Sequence, residues 1–352
     1  MNIYYSSLYY SNTFSSGANK RFDELGKRLL NVHEDNFVCI VTDNNRPVWC
    51  PLSNCVFIRP YSGRMQRLFS WVDLSVKLMK LPRGIFISDF MPVPLWVGRH
   101  YHFQTIYDLR NFDGFGRGGL GVFTEMFQRK QLSCANKIIT ISEFTSNAIQ
   151  NYCSVSRQRI MVSYCGVDEK KIAVVNDGRN IDILYVATFE SRKNHKNLIN
   201  AIGLFEKPLR IIFVGSDNGM KADVLAWSRE LEENGHSVTF LSQISEDELA
   251  EIYSQSKVFC FPSFYEGFGM PLIEAYQYGC KVACSDIEVF KEVTLNRAVY
   301  FDPSSPYDMY EKLRALLGSG ALDDTLRKEI MERYSWDAIF ELFNSEVVDK
   351  NS

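Results

Sequence analysis

Short runs of apolar and β-branched residues alternate along the chain with segments whose apolar residues recur every three or four positions. Runs of the first kind predict buried strands, and segments of the second kind predict amphipathic helices. The predicted strands are residues 37–43, 84–89, 102–108 and 137–142 in the first half, and 182–189, 210–216, 238–243, 258–263 and 281–286 in the second half. The predicted helices include residues 17–30, 246–256 and 270–279.

Strands that alternate with helices in this way form parallel sheets covered by crossover helices. Two such sets predict two doubly wound α/β domains, residues 1–167 and 168–335. Polar and turn-forming residues at 166–180 suggest the linker between them. In the remaining segment, 336–352, five apolar residues at helical spacing predict a final helix that packs back on the first domain. These five residues are Trp336, Ile339, Phe340, Phe343 and Val347.

Charge divides unevenly between the two halves. Residues 1–167 contain 19 basic and 11 acidic residues, a net charge of +8, whereas residues 168–352 contain 20 and 31, a net charge of −11. This asymmetry favours an anionic partner for the first half, either a membrane surface or a phosphorylated ligand. Alternatively, the asymmetry arises by chance and serves only the attraction between the two oppositely charged domains.

The chain has the composition of a globular protein, with 46% hydrophobic and 23% charged residues. Its nine cysteines show no Cys-x-x-Cys spacing, and five lie in apolar runs, so we expect reduced core thiols and a cytoplasmic location. These five are Cys39, Cys134, Cys260, Cys280 and Cys284. The N-terminus lacks the pattern of a signal peptide, and no apolar run approaches the ~20 residues that span a bilayer. We therefore expect any membrane contact to be peripheral.

Residues 59–83 interleave basic and apolar side chains. As a helix this stretch would be basic and amphipathic, which is typical of elements that lie on an anionic membrane surface. The alternative is an ordinary crossover helix that packs on its sheet. Nucleic acid is not an expected partner, because no stacking or groove-reading motif is present.

The stretch "YEGFGMPLIEA", residues 265–275, follows a predicted strand at the sheet edge where open α/β folds bind ligands. Gly267 and Gly269 allow a ligand to approach the backbone closely, and Pro271 suits the first position of a helix. Backbone amides at the start of that helix would face an anion. These amides belong to Phe268, Gly269 and Met270.

Two glutamates flank this loop. Glu274, one turn into the helix, could simply stabilise the helix dipole, by ~0.3–1 kcal/mol. That explanation does not account for Glu266 together with the glycines. A carboxylate beside a helix N-terminus can accept hydrogen bonds from a ribose, and one on the loop can bind sugar hydroxyls. A glycosidase-type carboxylate pair is the rival interpretation.

"EGFGMPLIE" resembles the signature of retaining glycosyltransferases of family four, which have the GT-B fold of two facing Rossmann-like domains with the sugar nucleotide in the cleft. "DILYVATFESRKNHKNLINAI", "VTFLSQISEDELAEIYSQS" and "KIITISEFTSNAI" also resemble family segments in the family's order. The resemblance extends from Pro82 to about Val347. It implies a retaining, metal-independent transferase that moves a sugar from a nucleotide-diphosphate sugar to a hydroxyl of a glycan or glycolipid in bacterial surface polysaccharide assembly.

The resemblance also assigns roles to individual residues. Glu274 would hold the ribose, Glu266 the donor sugar, and Lys193 the diphosphate. The catalytic residues it implies are Lys193, Glu266 and Asp108. The donor-binding residues it implies are Gly17, Arg192, Gly215, Ser242, Phe268, Gly269, Met270, Pro271 and Glu274.

Three positions depart from the family pattern. Tyr107 stands where the family commonly has a histidine that contacts the sugar, Thr188 replaces an arginine, and Lys281 replaces a proline. These changes affect the expected sugar contacts more than the nucleotide site. Tyr107 and Thr188 keep a non-catalytic sugar-nucleotide-binding subunit as an alternative. A sugar-nucleotide epimerase of the same fold is a second alternative, although the acid/base residues it would need are not identified.

No cofactor is expected. The sequence contains no Asp-x-Asp motif, which argues against the metal-dependent alternative glycosyltransferase fold, whose divalent ion is held by such carboxylates. His100 and His102 have strand spacing, and core or solvated histidines are the favoured interpretation over a metal pair. The sequence leaves open the donor, whether GDP-mannose or a UDP- or dTDP-sugar. It also leaves open the acceptor and the oligomeric state.

Overall fold

The structure is a computed structural model that describes residues 1–8, 10–11, 16–42, 45–59, 66–89, 96–109, 129–168 and 178–348. The chain forms two compact units, Met1–Gly166 with Trp336–Ser352, and Val167–Ser335. The division falls one residue before the boundary expected from the sequence. Residues 169–177 of the expected linker lie outside the described part of the chain.

The first domain is built on a parallel sheet of seven strands in the order β3-β2-β1-β4-β5-β6-β7. Its strands are β1 (Asn2–Ser6), β2 (Phe37–Thr42), β3 (Cys55–Ile58), β4 (Gly84–Ser88), β5 (Tyr101–Ile106), β6 (Lys137–Thr140) and β7 (Ile160–Val162). Its helices include α1 (Gly17–His33), α2 (Gln66–Lys80) and α3 (Glu143–Cys153).

The second domain is built on a parallel sheet of six strands in the order β10-β9-β8-β11-β12-β13. Its strands are β8 (Ile181–Val186), β9 (Arg210–Val214), β10 (Ser237–Leu241), β11 (Ser256–Phe261), β12 (Lys281–Ser285) and β13 (Val299–Phe301). Its helices are α4 (His195–Ile202), α5 (Lys221–Glu233), α6 (Glu246–Ser254), α7 (Met270–Gln277), α8 (Glu288–Val293), α9 (Pro306–Gly318) and α10 (Asp324–Arg333).

These sheets confirm the predicted class of two doubly wound Rossmann-like domains, and each of the nine predicted strands is present. Four strands were missed, namely β1, β3, β7 and β13. The omission of β1 matters most because it lies at the centre of the first sheet, between β2 and β4. Tyr4 and Tyr5 in this strand are buried, and the Tyr4 hydroxyl donates to the Pro82 carbonyl at 2.8 Å.

The final helix, α11 (Trp336–Val348), lies in the first unit and contacts α1. All five residues of its predicted apolar stripe are buried. Arg28 of α1 forms an ion pair with Asp337 at 3.0 Å, and His33 hydrogen-bonds to Asn344 at 2.8 Å. A Cβ at Gly166 would lie 2.7 Å from the Trp336 ring, so a glycine there allows the chain to pass close to the helix.

The cysteine prediction needs one correction. Cys39, Cys260, Cys280 and Cys284 are buried, but Cys134 is exposed. The apolar run that suggested a core position belongs to the buried neighbours Leu132 and Ala135. Burial of one residue in a helical turn does not fix the burial of the next, because successive side chains point in different directions.

His100 and His102 are buried on or beside β5, as core histidines would be. His100 hydrogen-bonds to the Leu78 carbonyl at 2.8 Å, and His102 to the Ser88 hydroxyl at 2.9 Å. Burial lowers the pKa of His102 to about 3, so this imidazole is neutral at physiological pH. Within the ranges that the structure describes, no helix combines the length and the hydropathy required to cross a bilayer.

A buried ion pair lies where the strand order of the first sheet reverses, between β1 and β4. Arg21 of α1 contacts Asp89, the residue after β4, at 2.9 Å, and both side chains are fully buried. Arg21 also donates to the Ser163 hydroxyl at 3.1 Å, and the Tyr107 hydroxyl donates to Asp89 at 2.7 Å. Burial raises the pKa of Asp89 to about 6, although Arg21 and Tyr107 oppose the rise.

We expect Arg21→Met to lower the free energy of unfolding by about 3–5 kcal/mol, since it leaves a buried carboxylate without its partner. Adding Asp89→Asn should recover part of that loss. The folded-state pKa of Asp89 is already raised, and Arg21→Met raises it further because it removes the cation that opposes the rise. The loss should therefore shrink as the pH falls from about 8 to about 5 and Asp89 binds a proton. Urea unfolding of the three proteins at both pH values measures this, and an unchanged stability of Arg21→Met would contradict it.

Candidate functional site

The second sheet reverses its strand order between β8 and β11, and most of the predicted site residues follow the carboxyl ends of these two strands. In open α/β sheets this reversal opens a crevice where ligands bind. Residues 191–193 follow β8, and residues 262–269 follow β11. Because β8 and β11 are hydrogen-bonded neighbours, the two loops lie side by side.

The loop after β8 is a tight turn tied to the loop after β11. Ser191–Lys193 forms one turn of 3₁₀ helix, and Asn194 adopts a left-handed conformation (φ 58°) before α4 begins. The Phe264 amide donates to the Arg192 carbonyl at 2.9 Å, and the Arg192 guanidinium donates to the Tyr265 carbonyl at 2.9 Å. The Asn194 side chain donates to the Pro262 carbonyl at 3.0 Å. These bonds fix Lys193 and Glu266 relative to each other.

Lys193 and Arg192 both form ion pairs with Glu266. The Lys193 ammonium hydrogen-bonds to Oε1 of Glu266, and an Arg192 terminal nitrogen lies 3.0 Å from Oε2. Arg192 also contacts Glu190 at 2.7 Å, so two cations meet two carboxylates. Lys193 and Glu266 are only 8% and 9% exposed, which makes this a largely desolvated ionic cluster.

Burial and charge act against each other in this cluster. Burial tends to raise the pKa of Glu266, but Lys193 and Arg192 outweigh it and hold that pKa below its ordinary value. Burial, with a contribution from Arg192, lowers the pKa of Lys193, while Glu266 opposes the change. The lowered pKa of Glu266 keeps its carboxylate ionised at neutral pH, and this carboxylate favours the charged form of Lys193. Such a site can exchange Glu266 for another anion at the two cations.

The backbone at the start of α7 requires a glycine at residue 269. Gly269 has φ 108°, a conformation that favours glycine, and a Cβ there would meet the Phe290 ring at 3.0 Å. Met270 is the first helical residue, so Pro271 occupies the second position and not the predicted first. A missing amide is tolerated there too, because the first four amides of a helix have no partner within it. Phe268 is buried and contacts Tyr334 edge-on.

Glu274 does not join the ionic cluster of Lys193 and Glu266. It lies on the fifth residue of α7, half-buried, and its Oε2 accepts a hydrogen bond from the Tyr253 hydroxyl at 3.1 Å. The structure therefore separates the two glutamates of the signature by partner. Glu266 contacts two cations, and Glu274 accepts a hydrogen bond from the Tyr253 hydroxyl, so the two carboxylates lie in different surroundings.

Gly215 and Ser242 lie at the carboxyl ends of β9 and β10. The Gly215 amide donates to the Leu241 carbonyl at 2.9 Å. A Cβ on Gly215 would lie 1.9 Å from the Ala187 carbonyl oxygen, so the backbones of two adjacent loops approach too closely for a side chain. Ser242 is exposed and precedes Gln243, which has φ 55°.

Gly17 and Asp108 belong to the first domain. Gly17 is the exposed first residue of α1, and the Ser16 side chain caps this helix by accepting from the Asn19 amide at 3.1 Å. Asp108 is half-buried directly after Tyr107. The Tyr107 hydroxyl, at the position of the expected histidine, points to Asp89 at 2.7 Å and lies 3.5 Å from the Ala18 carbonyl.

Sequence reasoning missed one ion pair and two further residues of the site. It did not predict that Lys193 and Glu266 pair directly, because 73 positions separate them. It also omitted Glu190, which completes the cluster through Arg192, and Tyr185, whose hydroxyl donates to the Lys193 carbonyl at 2.6 Å. The signal for Glu190 was its place just before two bases in "ESRK". Across the described ranges, no group of three or more His, Cys, Asp or Glu side chains is arranged to hold a metal ion.

Residues 167–333 match the family described as glycosyl transferases group 1. The chain is 28% identical over 202 residues to O-antigen chain mannosyltransferase B of Escherichia coli, which covers 52% of this chain and 51% of that protein. It is also 28% identical over 203 residues to O-antigen chain mannosyltransferase RfbU of Salmonella typhimurium, which covers 56% of each. The chain thus spans about half the length of these curated relatives.

The solved structure of sucrose-phosphate synthase from Thermosynechococcus elongatus has a TM-score of 0.78 to this structure. The two are 18% identical, and the match covers 98% of this chain and 97% of that one. A likeness at this identity establishes the fold alone. It confirms that the two Rossmann-like domains belong to the predicted GT-B class.

We expect Gly215→Ala to destabilise the second domain, because overpacking against a backbone atom typically costs about 1–3 kcal/mol. The clashing Ala187 carbonyl cannot rotate away as a side chain could. Gly320→Ala is a matched control in the same domain, since a Cβ there meets no atom within 4 Å. Thermal unfolding of both variants measures the difference. Equal melting temperatures for the two would show that the close approach at Gly215 does not constrain this loop.

Proposed function

From the match of residues 167–333 to the family described as glycosyl transferases group 1, we propose that the chain is a glycosyltransferase. It moves a sugar from a nucleotide-diphosphate sugar to a hydroxyl of a glycan or glycolipid during assembly of a bacterial surface polysaccharide. The ionic cluster of Lys193, Arg192 and Glu266 at the strand reversal of the second sheet is the observation that carries this proposal.

Glycosyl transfer releases a nucleoside diphosphate, so negative charge develops on the leaving group and must be stabilised. Lys193 and Arg192 supply two adjacent cations at the sheet edge where nucleotides bind in this class of domain. Their positions are fixed before a ligand arrives, through the hydrogen bonds to residues 262–265. Preorganised charges of this kind contribute to the transition state without a reorganisation cost.

Glu266 holds the two cations in the absence of donor. A diphosphate that binds Lys193 and Arg192 replaces this carboxylate as their counter-ion. Glu266 is then released to accept hydrogen bonds from hydroxyls of the donor sugar. Glu274, whose carboxylate has no part in this exchange, binds the ribose. The exchange keeps the cations paired in both states, which avoids the large cost of a buried unpaired charge.

The reaction is proposed to retain the anomeric configuration and to need no metal ion. The acceptor hydroxyl attacks the face from which the diphosphate departs, and the leaving phosphate takes the acceptor proton. The two cations occupy the place of a divalent ion as charge stabilisers. Asp108 is proposed to contribute from the first domain. Mannose is the first donor sugar to test, as GDP-mannose, because two curated relatives are O-antigen mannosyltransferases.

An epimerase of the same fold and a catalytically silent nucleotide-binding subunit are the alternatives. An assay of released nucleoside diphosphate, with and without acceptor and in excess EDTA, separates them. A transferase releases diphosphate in response to acceptor, an epimerase releases none while interconverting the sugar, and a silent subunit does neither. Loss of turnover in EDTA that is restored by magnesium or manganese would contradict the metal-independent part of the proposal.

We expect Lys193→Ala to reduce turnover by about 10²–10³-fold, as removal of a preorganised charge typically does. Arg314→Ala is the control, since this exposed cation pairs with Glu311 of its own helix. Turnover of the full donor with acceptor is compared among wild type and the two variants, with melting temperatures to verify folding. Near-normal turnover in folded Lys193→Ala would refute the assignment of the diphosphate site.

The first domain is also proposed to contact an anionic membrane through α2. Apolar residues Phe69, Val72, Val76 and Met79 form one exposed stripe on this helix, at 57%, 60%, 37% and 46% exposure. Leu74 and Leu78 on its other face are buried in the core. The helix thus packs on the sheet with one face and presents an apolar surface with the other. It can be both a crossover helix and a membrane-surface element.

Exposed basic residues Lys80 and Arg83 lie at the end of this helix, and Trp96, 59% exposed, lies beside it with its carbonyl 3.1 Å from the Ser75 hydroxyl. An apolar stripe with adjacent cations and a tryptophan suits the interfacial region of an anionic bilayer. Residues 60–65 of the basic stretch, which include Arg64, lie outside the described part of the chain.

We expect wild-type protein to co-sediment with phosphatidylglycerol vesicles, and Val72→Asp to reduce that binding. Leu342→Asp is the matched control, because Leu342 is an equally exposed aliphatic residue on α11 of the same domain. Binding should fall with added salt, since the Debye length shortens to about 8 Å at physiological ionic strength. Equal binding to neutral and anionic vesicles, or equal losses in the two variants, would rule out α2 as the electrostatic contact.

A further inference from the structure

The second domain has a basic cavity of about 310 Å³ at the sheet edge opposite the candidate site. Three of its cations lie at the starts of strands, whereas Lys193 and Glu266 follow the ends of strands. Arg179 lies just before β8, Lys257 is the second residue of β11, and Lys281 is the first residue of β12. The connection between α9 and α10 closes the other side. A six-residue strand is roughly 20 Å long, so the cavity is separate from the cluster of Lys193 and Glu266.

Four cations line this cavity in a domain that is otherwise acidic. They are Arg179, Lys257, Lys281 and Arg327. Two carboxylates accompany them. Asp182 lies 2.7 Å from Lys257, and Asp324 lies 3.7 Å from Arg327 with its side chain 76% exposed. Among the described residues, two positive charges therefore remain around a concave surface, although residues 168–335 have a net charge of −8.

Part of this charge has a structural explanation. Helices α6, α7 and α9 end near this edge, and their last carbonyls favour nearby cations. Arg179 donates to the carbonyls of Tyr253, Ser256 and Tyr278. Lys281 donates to the carbonyls of Leu316 and Ser319. These two cations are thus held in place as rigid walls of the cavity.

The other two cations have donor capacity beyond their structural bonds. Arg327 uses its Nε for the Gln277 carbonyl at 3.0 Å, and its NH1 lies beyond hydrogen-bond distance from Asp324. Lys257 donates to Asp182, and its side chain is 41% exposed. A guanidinium end and an ammonium group on the same concave surface form a combination that suits a phosphate group.

The electrostatic environment of Lys281 agrees with an excess of positive charge. Burial lowers the pKa of its ammonium group, and the neighbouring Lys257 and Arg179 lower it further. An anion in the cavity would relieve this repulsion. The position is also one where the chain departs from the glycosyltransferase pattern, which has a proline at residue 281.

We propose that this cavity binds the phosphate group of a small phosphorylated molecule, at a second site separate from the sugar-nucleotide site. The two uncompensated positive charges match a phosphate dianion. The cavity volume lies at the lower end of the range for small-molecule pockets, about 300–1,000 Å³, which suits a phosphate with a small organic group. Lys257 and Arg327 bind the phosphate oxygens, while Arg179 and Lys281 supply the surrounding field.

Inorganic phosphate is the probe, and its binding to the full chain is followed by the line width of its ³¹P resonance. The test variant is Lys257→Gln with Arg327→Gln. The control is Lys312→Gln with Arg314→Gln, which removes the same charge from exposed residues of α9 outside the cavity. Lys193→Ala reports phosphate bound at the proposed diphosphate site. Thermal unfolding verifies that each variant is folded. If the double test variant does not fold, Lys257→Gln alone takes its place.

Phosphate affinity should fall by roughly tenfold for each charge-assisted hydrogen bond lost in the test variant, and stay within about twofold of wild type in the control. Retained affinity in the test variant, or an equal loss in the control, would overturn the proposal. Loss in Lys193→Ala alone would place the phosphate at the sugar-nucleotide site instead. A different outcome is that the protein binds phosphatidic acid vesicles but not free phosphate, and that only the test variant loses this binding. That result would assign the cavity to a lipid headgroup and refute a small-molecule ligand.

Discussion

A buried ammonium group must have a counter-ion, and this requirement links the two strands at the centre of the second domain. Lys193 comes after β8 and Glu266 after β11, and their ion pair joins the two loops across the strand reversal. The pair can form only because parallel strands with crossover helices bring these carboxyl ends together. Breaking it from one side would leave a desolvated charge, which costs several kcal/mol. In the proposed mechanism, an incoming diphosphate replaces Glu266 as the counter-ion of Lys193.

The first domain contains a comparable arrangement at its own strand reversal. Arg21 and Asp89 are fully buried there, and the Tyr107 hydroxyl joins them through Asp89. This contact gives a physical reason for a tyrosine where the family commonly has a histidine. The tyrosine reaches a buried carboxylate, and burial together with Asp89 keeps its pKa well above the ordinary value, so it is a neutral hydrogen-bond donor. Each sheet thus places an ion pair where its strand order reverses.

The sequence predicted the elements with strong periodicity and the residues carried by compact motifs. Strands such as β2 and β11 are continuous apolar runs, and the glycines around Glu266 indicated the loop that follows β11. It did not predict β1, because tyrosines and serines in "IYYSS" do not resemble a buried strand until Pro82 and Phe22 are seen to pack against them. The partner of Lys193 could not be predicted either, since distance along the chain does not report proximity in the sheet. The basic cavity was equally hidden, as its four cations come from four separate elements.

The central claim is that the two signature glutamates act on different parts of the donor. Calorimetry with the bare nucleoside diphosphate on Glu274→Gln and Glu266→Gln tests it most directly. Glu274→Gln should weaken binding by about 1.5–3 kcal/mol, the range of a charge-assisted hydrogen bond. Glu266→Gln should preserve or strengthen binding, because it removes the carboxylate that competes for Lys193 and Arg192. Loss of binding in Glu266→Gln with retention in Glu274→Gln would contradict the account.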